Sequence, residues 1–260
     1  MNKVKKFWND QASQYQGETQ ATQPDYYSFM IEIKALATHM TSDQEVIEYG
    51  CGNGYAMQQV FKTVALKSYK GVDYSEEMIK TAKSTSPETK QKWLQPSNTV
   101  NYEVGDVTKH TPQESYDMAI TDRCLINLAS HEEQLLAAQN IHSTLRPGGT
   151  YLMFECSKKS LANINQVRAQ FDLPEIMERW HNCYLDEDRF LKDISPYFEV
   201  EHIESPISTY FLVSRTVNAV VGLAEGHIDY FSKINETAAN LPAEGDYAPL
   251  KLFVLRKKEV

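Results

Sequence analysis

The sequence predicts a layered α/β fold built on a mostly parallel sheet, and three observations predict it. Short β-prone runs alternate with amphipathic helical stretches between about residues 45 and 155. A glycine-rich turn, Gly50-Cys51-Gly52-Asn53-Gly54, separates the first of these runs from the helix after it. Acidic residues recur where later runs end, at Asp73 and Asp106. Strands joined through helices of these lengths need right-handed crossovers, which leave the strands parallel.

The elements follow in order. Val4 to Tyr15 reads as a short amphipathic helix carrying Phe7 and Trp8, and the polar stretch Gln16 to Pro24 leads to a helix over Tyr26 to Met40. Ile31, Ile33, Leu36 and Ala37 give that helix an apolar stripe. Glu45 to Tyr49 is the first strand, Ala56 to Thr63 a helix, and Ser68 to Val72 the second strand. Ser75 is placed to cap the next helix, with Glu76 and Glu77 near the positive end of its dipole. A polar connection, Ser86 to Asn98, reaches the third strand at Val100 to Val104, and the fourth is Tyr116 to Thr121. Ser130 and Glu133 form a capping box for a helix running to Leu145. Pro147-Gly148-Gly149 is expected to end that helix and launch a fifth strand, Tyr151 to Glu155.

Beyond it, Leu161, Ile164, Val167 and Phe171 mark a helix, Phe198 to Ile203 a sixth strand and Leu250 to Leu255 a last one. Residues 205–249 are too long for a hairpin and hold a helical middle, Tyr210 to Val221, and a second helix near Ile228 to Ala239. That segment reads as a lid inserted over the active-site edge. The expected organisation is one domain over 1–260, with residues 1–42 as an N-terminal helical cover.

Bulk properties narrow the partners. A chain of 260 residues with 42% hydrophobic residues buries a core without disulfides or metal. The formal charge of −9 repels phosphate backbones and anionic lipid, so nucleic acid and membrane are not expected partners. Cys51, Cys124, Cys156 and Cys183 show no CxxC spacing and read as reduced thiols, with no metal site. The N-terminus lacks an apolar signal core, and no run approaches the length of a membrane span. A cytoplasmic monomer or homodimer acting on a small molecule is the expectation.

The glycine turn carries the most information. Glycines let a backbone approach a ligand that any Cβ would hold off. A dinucleotide fingerprint needs a small residue where Tyr55 stands, and the G-x-G-x-G spacing led by Glu48 suits a cofactor without a pyrophosphate. Asp73 stands about 20 residues on, where a carboxylate accepts ribose hydroxyls, and Asp106 with Val107 is placed to meet an adenine. Taken singly, Asp73 and Asp106 read more readily as turn or cap residues than as ligands.

With Glu48-Tyr49-Gly50-Cys51-Gly52-Asn53-Gly54, Gly71-Val72-Asp73, Gly105-Asp106-Val107 and Leu145-Arg146-Pro147-Gly148-Gly149 in this order, the region from Val46 to Cys156 resembles the class I S-adenosylmethionine-dependent methyltransferases. The resemblance implies a Rossmann-like seven-stranded sheet with an antiparallel last strand and S-adenosylmethionine as cofactor. It implies cofactor contacts from Tyr15, Tyr26, Glu48, Gly50, Gly52, Gly54, Asp73, Tyr74, Asp106, Val107 and Arg123. Methyl transfer to a small acceptor needs alignment and exclusion of water, and a base only for an acceptor of high pKa. His181, Glu155 and Arg123 are the candidate catalytic residues, and Asn127, Tyr184, Tyr210, Arg215 and His227 the candidate acceptor contacts. Packing roles are an equal alternative for several of them. The cations suggest a hydroxylated or anionic acceptor. The lid and Arg123-Cys124-Leu125-Ile126-Asn127-Leu128 also resemble methyltransferases of bacterial surface-polysaccharide and specialised-metabolite clusters, which implies O-methylation of a sugar, phosphate or amino-acid derivative. An NAD-dependent oxidoreductase and a non-catalytic S-adenosylmethionine-binding protein stay open as alternatives. Thr121-Asp122-Arg123-Cys124 supplies neither the Pro-Pro-aromatic motif of nucleic-acid amine enzymes nor the paired glutamates of arginine enzymes.

Overall fold

The computed structural model describes residues 3–18, 21–84 and 99–259, so the polar connection at Ser86 to Asn98 lies outside the described residues. The chain runs α1 (Lys3–Tyr15), α2 (Tyr26–Thr38), β1 (Glu45–Tyr49), α3 (Tyr55–Val60), β2 (Ser68–Asp73), α4 (Glu76–Ser84), β3 (Thr99–Val104), β4 (Tyr116–Asp122), α5 (His131–Thr144) and β5 (Leu145–Cys156). It continues through α6 (Lys158–Ala169), α7 (Glu187–Ile194), β6 (Phe198–Glu204), α8 (Ser208–Leu212), α9 (Asn218–Glu225), α10 (Lys233–Ala238) and β7 (Leu250–Lys257). Among the described residues, seven strands form one sheet in the order β3-β2-β1-β4-β5-β7-β6. Strands β1 to β5 pair in parallel, and β7 lies antiparallel to both β5 and β6. No described helix is long and apolar enough to cross a membrane.

The chain order reverses between β1 and β4, which opens a crevice at the carboxyl ends of the central strands. Val46, Ile47 and Tyr49 are wholly buried along β1, because a parallel strand is covered on both faces. One face packs Phe29, Ile33 and Leu36 of α2 with Met57 of α3 against Val46, Ile120 and Leu252. The other packs Ala137, Ala138 and Ile141 of α5 with Phe190 and Ile194 of α7 against Ile47, Ala119 and Leu255. Helix α1 lies on α4, tied by a Lys5–Glu76 ion pair at 2.6 Å and by the Ser75 hydroxyl donating to Asn9 at 2.5 Å.

Capping explains where helices begin. The Asp25 carboxylate accepts from the Ser28 N–H at the start of α2, and the Ser75 hydroxyl accepts from the Met78 N–H at the start of α4. The capping box of α5 is half as expected. Ser130 accepts from the Glu133 N–H, but the Glu133 carboxylate takes the N–H of Ala129 rather than that of Ser130.

Other expectations are corrected. Pro147-Gly148-Gly149 does not precede β5 but lies inside it, because Arg146 pairs with Asp117 and Glu45 and draws the chain alongside β4. The register irregularity between Tyr116 and Met118 absorbs the displaced residues. Helix α7 has no counterpart in the sequence reading, and Phe171 lies beyond the end of α6, half exposed. A π-helical turn, Val213–Val217, joins α8 to α9. Helix α10 starts at Lys233 rather than near Ile228, because Asn218 holds both the Asp229 carbonyl and the Ser232 hydroxyl.

Gly54 holds α3 against the sheet. Its φ is +74°, and a Cβ there would lie 2.6 Å from the Tyr102 hydroxyl oxygen. Gly54→Ala is therefore expected to destabilise the fold by about 2 kcal/mol, a fall of roughly 4–8 °C in melting temperature by calorimetry.

Candidate active site

At the carboxyl ends of the central strands lies a cavity of about 650 Å³. The end of β1 and the turn after it bring Glu48, Gly50 and Gly52 to its wall; the end of β2 brings Asp73 and Tyr74; the loop after β3 brings Asp106 and Val107; the end of β4 and the loop after it bring Asp122, Arg123 and Asn127. Trp8 of α1, the segment Thr22 to Ser28, the segment Ile176 to Tyr184 and Phe211 with Arg215 complete the enclosure.

A row of buried carboxylates runs along this edge. Asp73 Oδ2 accepts from the Gly52 N–H at 2.9 Å and Oδ1 from the Ser75 N–H at 2.8 Å. Burial pushes Asp73 up to about 6, against those two hydrogen bonds. Glu48 accepts from the Tyr69 hydroxyl, and burial pushes it up to about 8, with the charges of Asp122 and Asp73 adding to the effect. Asp122 is raised by burial against the pull of Arg123. Asp106 goes the other way. Its partial burial is outweighed by hydrogen bonds from Thr108 and Lys109, which hold it below the usual carboxylate range.

The glycine turn is shaped by its neighbours. Gly50 has a φ of +77°, and a Cβ there would fall 2.7 Å from Cys124 Cβ, so only glycine lets this turn pass the loop after β4. Gly54 is not among the residues lining the cavity, and a Cβ there would meet Tyr102, which gives it a packing role.

The two arginines are committed. Arg123 sits at φ +52°, and its guanidinium reaches Glu32 at 2.5 Å and Asp122 at 3.4 Å, with Glu32 wholly buried. Arg215 pairs with Asp25 at 2.5 Å and lies over the rings of Phe211 and Tyr230. Both line the cavity, but both bring their own carboxylates, so neither is free of a partner there. Asn127 is a strut: its Oδ1 accepts from the Trp8 indole N–H at 3.1 Å and its Nδ2 donates to the Arg123 carbonyl at 2.6 Å.

His181 lies in an aromatic box. Its ring stacks on Phe7 at 4.5 Å and meets the edges of Trp180 at 5.1 Å and Trp8 at 5.7 Å. Burial, reinforced by the nearby Arg179 charge, lowers its pKa and keeps the imidazole neutral at pH 7. Three buried polar atoms on cavity-lining residues have no hydrogen-bond partner among the described residues: His181 Nδ1, Tyr74 Oη and Asp122 Oδ1. Buried polar groups are ordinarily satisfied, so an orphaned set along one cavity marks a place for a polar ligand. Tyr184 also lines the wall, its N–H donating to Glu178.

Five other expected residues do not line the cavity. Glu155 is wholly buried beneath it, where its carboxylate accepts the N–H groups of Cys124, Leu125 and Ile126; it anchors the loop after β4. Tyr210 is buried behind Asp25, to which its hydroxyl donates at 2.6 Å. Tyr15 packs beside Ala12, Ala21 and Met78, Tyr26 is half exposed against Tyr27, and His227 is exposed. The sequence reading missed Trp8, Gln23, Asp25, Asp122 and Arg179. Only Asp122 carried a signal, as an acidic residue ending a strand just as Asp73 does.

A methyltransferase-domain family model matches residues 40–195, more than half of the chain. No curated protein matches it in sequence. Among solved structures it is similar to the N-methyltransferase NodS of Bradyrhizobium japonicum in complex with S-adenosyl-L-homocysteine, with 10% identity, 98% of each chain covered and a TM-score of 0.58. It is also similar to the magnesium protoporphyrin IX methyltransferase of Synechocystis with bound S-adenosylhomocysteine, at 12% identity over 98% of this chain and 94% of that one, with a TM-score of 0.58. Phosphoethanolamine N-methyltransferase 1 of Haemonchus contortus, in complex with phosphoethanolamine and S-adenosylhomocysteine, gives a TM-score of 0.62 at 15% identity, covering 98% of this chain and 48% of that one. At such identities the likeness to these structures is one of fold.

The carboxylate row makes stability depend on pH. A carboxyl raised in the folded state keeps a proton that the unfolded chain has lost, so its contribution is complete below the unfolded value and disappears as pH rises through the folded one. With Glu48 near 8, the ligand-free protein is expected to melt at a lower temperature at pH 8.5 than at pH 6.5. Scanning calorimetry at the two pH values checks this, and Glu48→Gln should flatten the difference.

Proposed function

The chain belongs to the class I S-adenosylmethionine-dependent methyltransferases, and from that premise we propose that it methylates a hydroxyl of a small metabolite held beneath α1, with His181 as general base. The observation that carries this reading is the neutral, buried imidazole lining the cavity with an unpartnered Nδ1.

The residues present fit the cofactor. S-adenosylmethionine supplies an electrophilic methyl group on a sulfonium, so the protein's share is binding, alignment and proton removal. Asp73 holds each carboxylate oxygen with one backbone N–H, leaving lone pairs for two ribose hydroxyls. Asp122 Oδ1 is suited to an ammonium, Asp106 and Val107 to an adenine, and Gly50 and Gly52 to close backbone approach. Tyr74, with its unpartnered hydroxyl, adds a further polar contact.

On the acceptor side, His181 would take the hydroxyl proton at Nδ1 as the methyl–sulfur bond breaks and the C–O bond forms, with Phe7, Trp8 and Trp180 keeping water from that nitrogen. Arg179 is exposed at the rim and has no carboxylate partner among the described residues, so an anionic group on the acceptor pairs there rather than with Arg123 or Arg215. Asn127 and Tyr184 bound the same end. Residues 205–249 act as the lid through Ile207, Phe211, Arg215 and Ala248, and residues 1–42 as the cover.

A second reading, methylation of an amine, draws on the crowding of Asp25, Glu48, Asp73 and Asp122 along the cavity, which favours a cation. It also matches what two of the similar structures are named for.

Calorimetric titration tests the cofactor. Micromolar binding of S-adenosylmethionine and S-adenosylhomocysteine is expected, with none of NAD, and Asp73→Ala should abolish it. Screening of hydroxylated and amine acceptors by S-adenosylhomocysteine release then separates the two readings. For a hydroxyl acceptor, His181→Gln should lower kcat by about 100-fold or more. The acid limb of the wild-type rate should lie below the ordinary imidazole range, because burial lowers the His181 pKa, and that limb should vanish in the variant.

A further inference from the structure

At the far end of α2 from the cavity, the helix meets the edge strand β6. His39 follows the last turn of α2, and His202 and Glu204 stand two residues apart on β6. Their register partners on β7 are Val254 and Leu252, both in the core that α2 covers, so the two side chains share the sheet face on which His39 lies. The pairing slips between Val200 and His202, and a strand irregularity of this kind re-aims the residues that follow it.

The result is a compact donor set. Glu204 Oε1 lies 2.9 Å from His39 Nε2 and 2.9 Å from His202 Nε2, and one ligand atom from each of the three residues falls within 4.8 Å of the others. The imidazole rings stand 5.5 Å apart. His202 meets Glu204 in hydrogen-bonding geometry, but His39 does not: its Nε2 is shielded from solvent and has no hydrogen-bond partner. A shielded imidazole nitrogen with a lone pair and no partner, beside a carboxylate shared with a second imidazole, is what a metal ion would satisfy.

We propose that His39, His202 and Glu204 bind a divalent transition metal, with zinc the best match. Two imidazole nitrogens and one carboxylate oxygen are borderline ligands that favour zinc, cobalt or nickel over calcium or magnesium. With metal–ligand distances of about 2.0–2.1 Å, neighbouring ligands stand about 2.9 Å apart at right angles and about 3.3 Å apart in a tetrahedron. Both nitrogen–oxygen separations fall in or next to that range, and the imidazoles, whose ligand atoms lie within 4.8 Å of each other, turn towards the ion to complete the set. Side-chain exposures of 18% for His39, 47% for His202 and 35% for Glu204 leave the remaining positions to water. The ion clamps the end of α2 to the open edge of the sheet. Helix α2 is about 20 Å long, and Asp25 and Phe29 at its other end line the cavity, so the ion is remote from the reacting groups.

The test uses the full chain, stripped with a chelator and carrying no affinity tag. Calorimetric titration with zinc chloride should give one ion per chain with a dissociation constant of micromolar or below. At saturating zinc the melting temperature should rise by about 5 °C. Cobalt should produce a visible absorption band at the same stoichiometry. His202→Ala, at an exposed position, should fold with unchanged cofactor affinity but lose the zinc-dependent shift and at least 10-fold in affinity; His39→Gln should do the same. Absence of saturable binding to the wild type overturns the proposal, as does binding that survives in the His202→Ala, Glu204→Gln double variant.

Discussion

Four carboxylates stand side by side where adjacent strands end: Asp73 on β2, Glu48 on β1, Asp122 on β4 and Glu155 on β5. Burying acidic groups in a row carries a desolvation cost that raises the pKa of all four, and much of the surrounding structure answers it. Glu155 is met by three backbone N–H groups, which fixes the loop after β4. Asp73 is met by two, which fixes the glycine turn against the start of α4. Asp122 is met by Arg123, whose guanidinium also holds the buried Glu32 and so binds α2 to the sheet. Arg123 keeps a left-handed backbone to do this, a strain of order 1–3 kcal/mol. What the scaffold leaves unmet, at Asp122 Oδ1 and in the raised carboxyl of Glu48, is a deficit of positive charge beside a cavity. That deficit supports the proposed placing of the cofactor's sulfonium and ammonium at this edge.

The same row explains why two of the arginines lining the cavity, Arg123 and Arg215, are not free to take an anion. Each guanidinium arrives already matched, Arg123 to Glu32 and Asp122, Arg215 to Asp25. Their first duty is to let carboxylates and helix ends pack together. A count of cationic residues in the sequence reads as affinity for anions; the geometry turns most of them into struts.

The strands and the cofactor end were legible because both are local signals. A β-prone run ending in glycine or aspartate, followed by a helix cap, fits within a dozen residues, and Asp73, Asp106 and the glycine turn stand where that logic put them. Helix α7 was hidden because only Phe190 and Ile194 of Glu187–Ile194 are apolar and buried, four residues apart in a charged stretch. The acceptor end was largely illegible because it is assembled from pieces far apart in the chain: Trp8, Thr22 to Ser28, Ile176 to Tyr184, Phe211 and Ala248. None carries a spacing that announces the others. Glu155 shows the opposite error, since its position at a strand end suggested chemistry whereas three amides consume its carboxylate.

The cover over His181 comes from residues near the start of the chain, Phe7 and Trp8, while the ring they enclose lies more than 170 residues later. The helix that carries them rests on α4, and its cavity-facing contacts wait for Asn127 after β4 and for the 176–184 segment. Contacts so distant in sequence repay their loop-closure entropy only after the intervening sheet exists. The wall over His181 thus depends on a sheet built from residues between the two. Held by one indole hydrogen bond, a few ring contacts and its seat on α4, it is also the part that can lift away without disturbing the sheet.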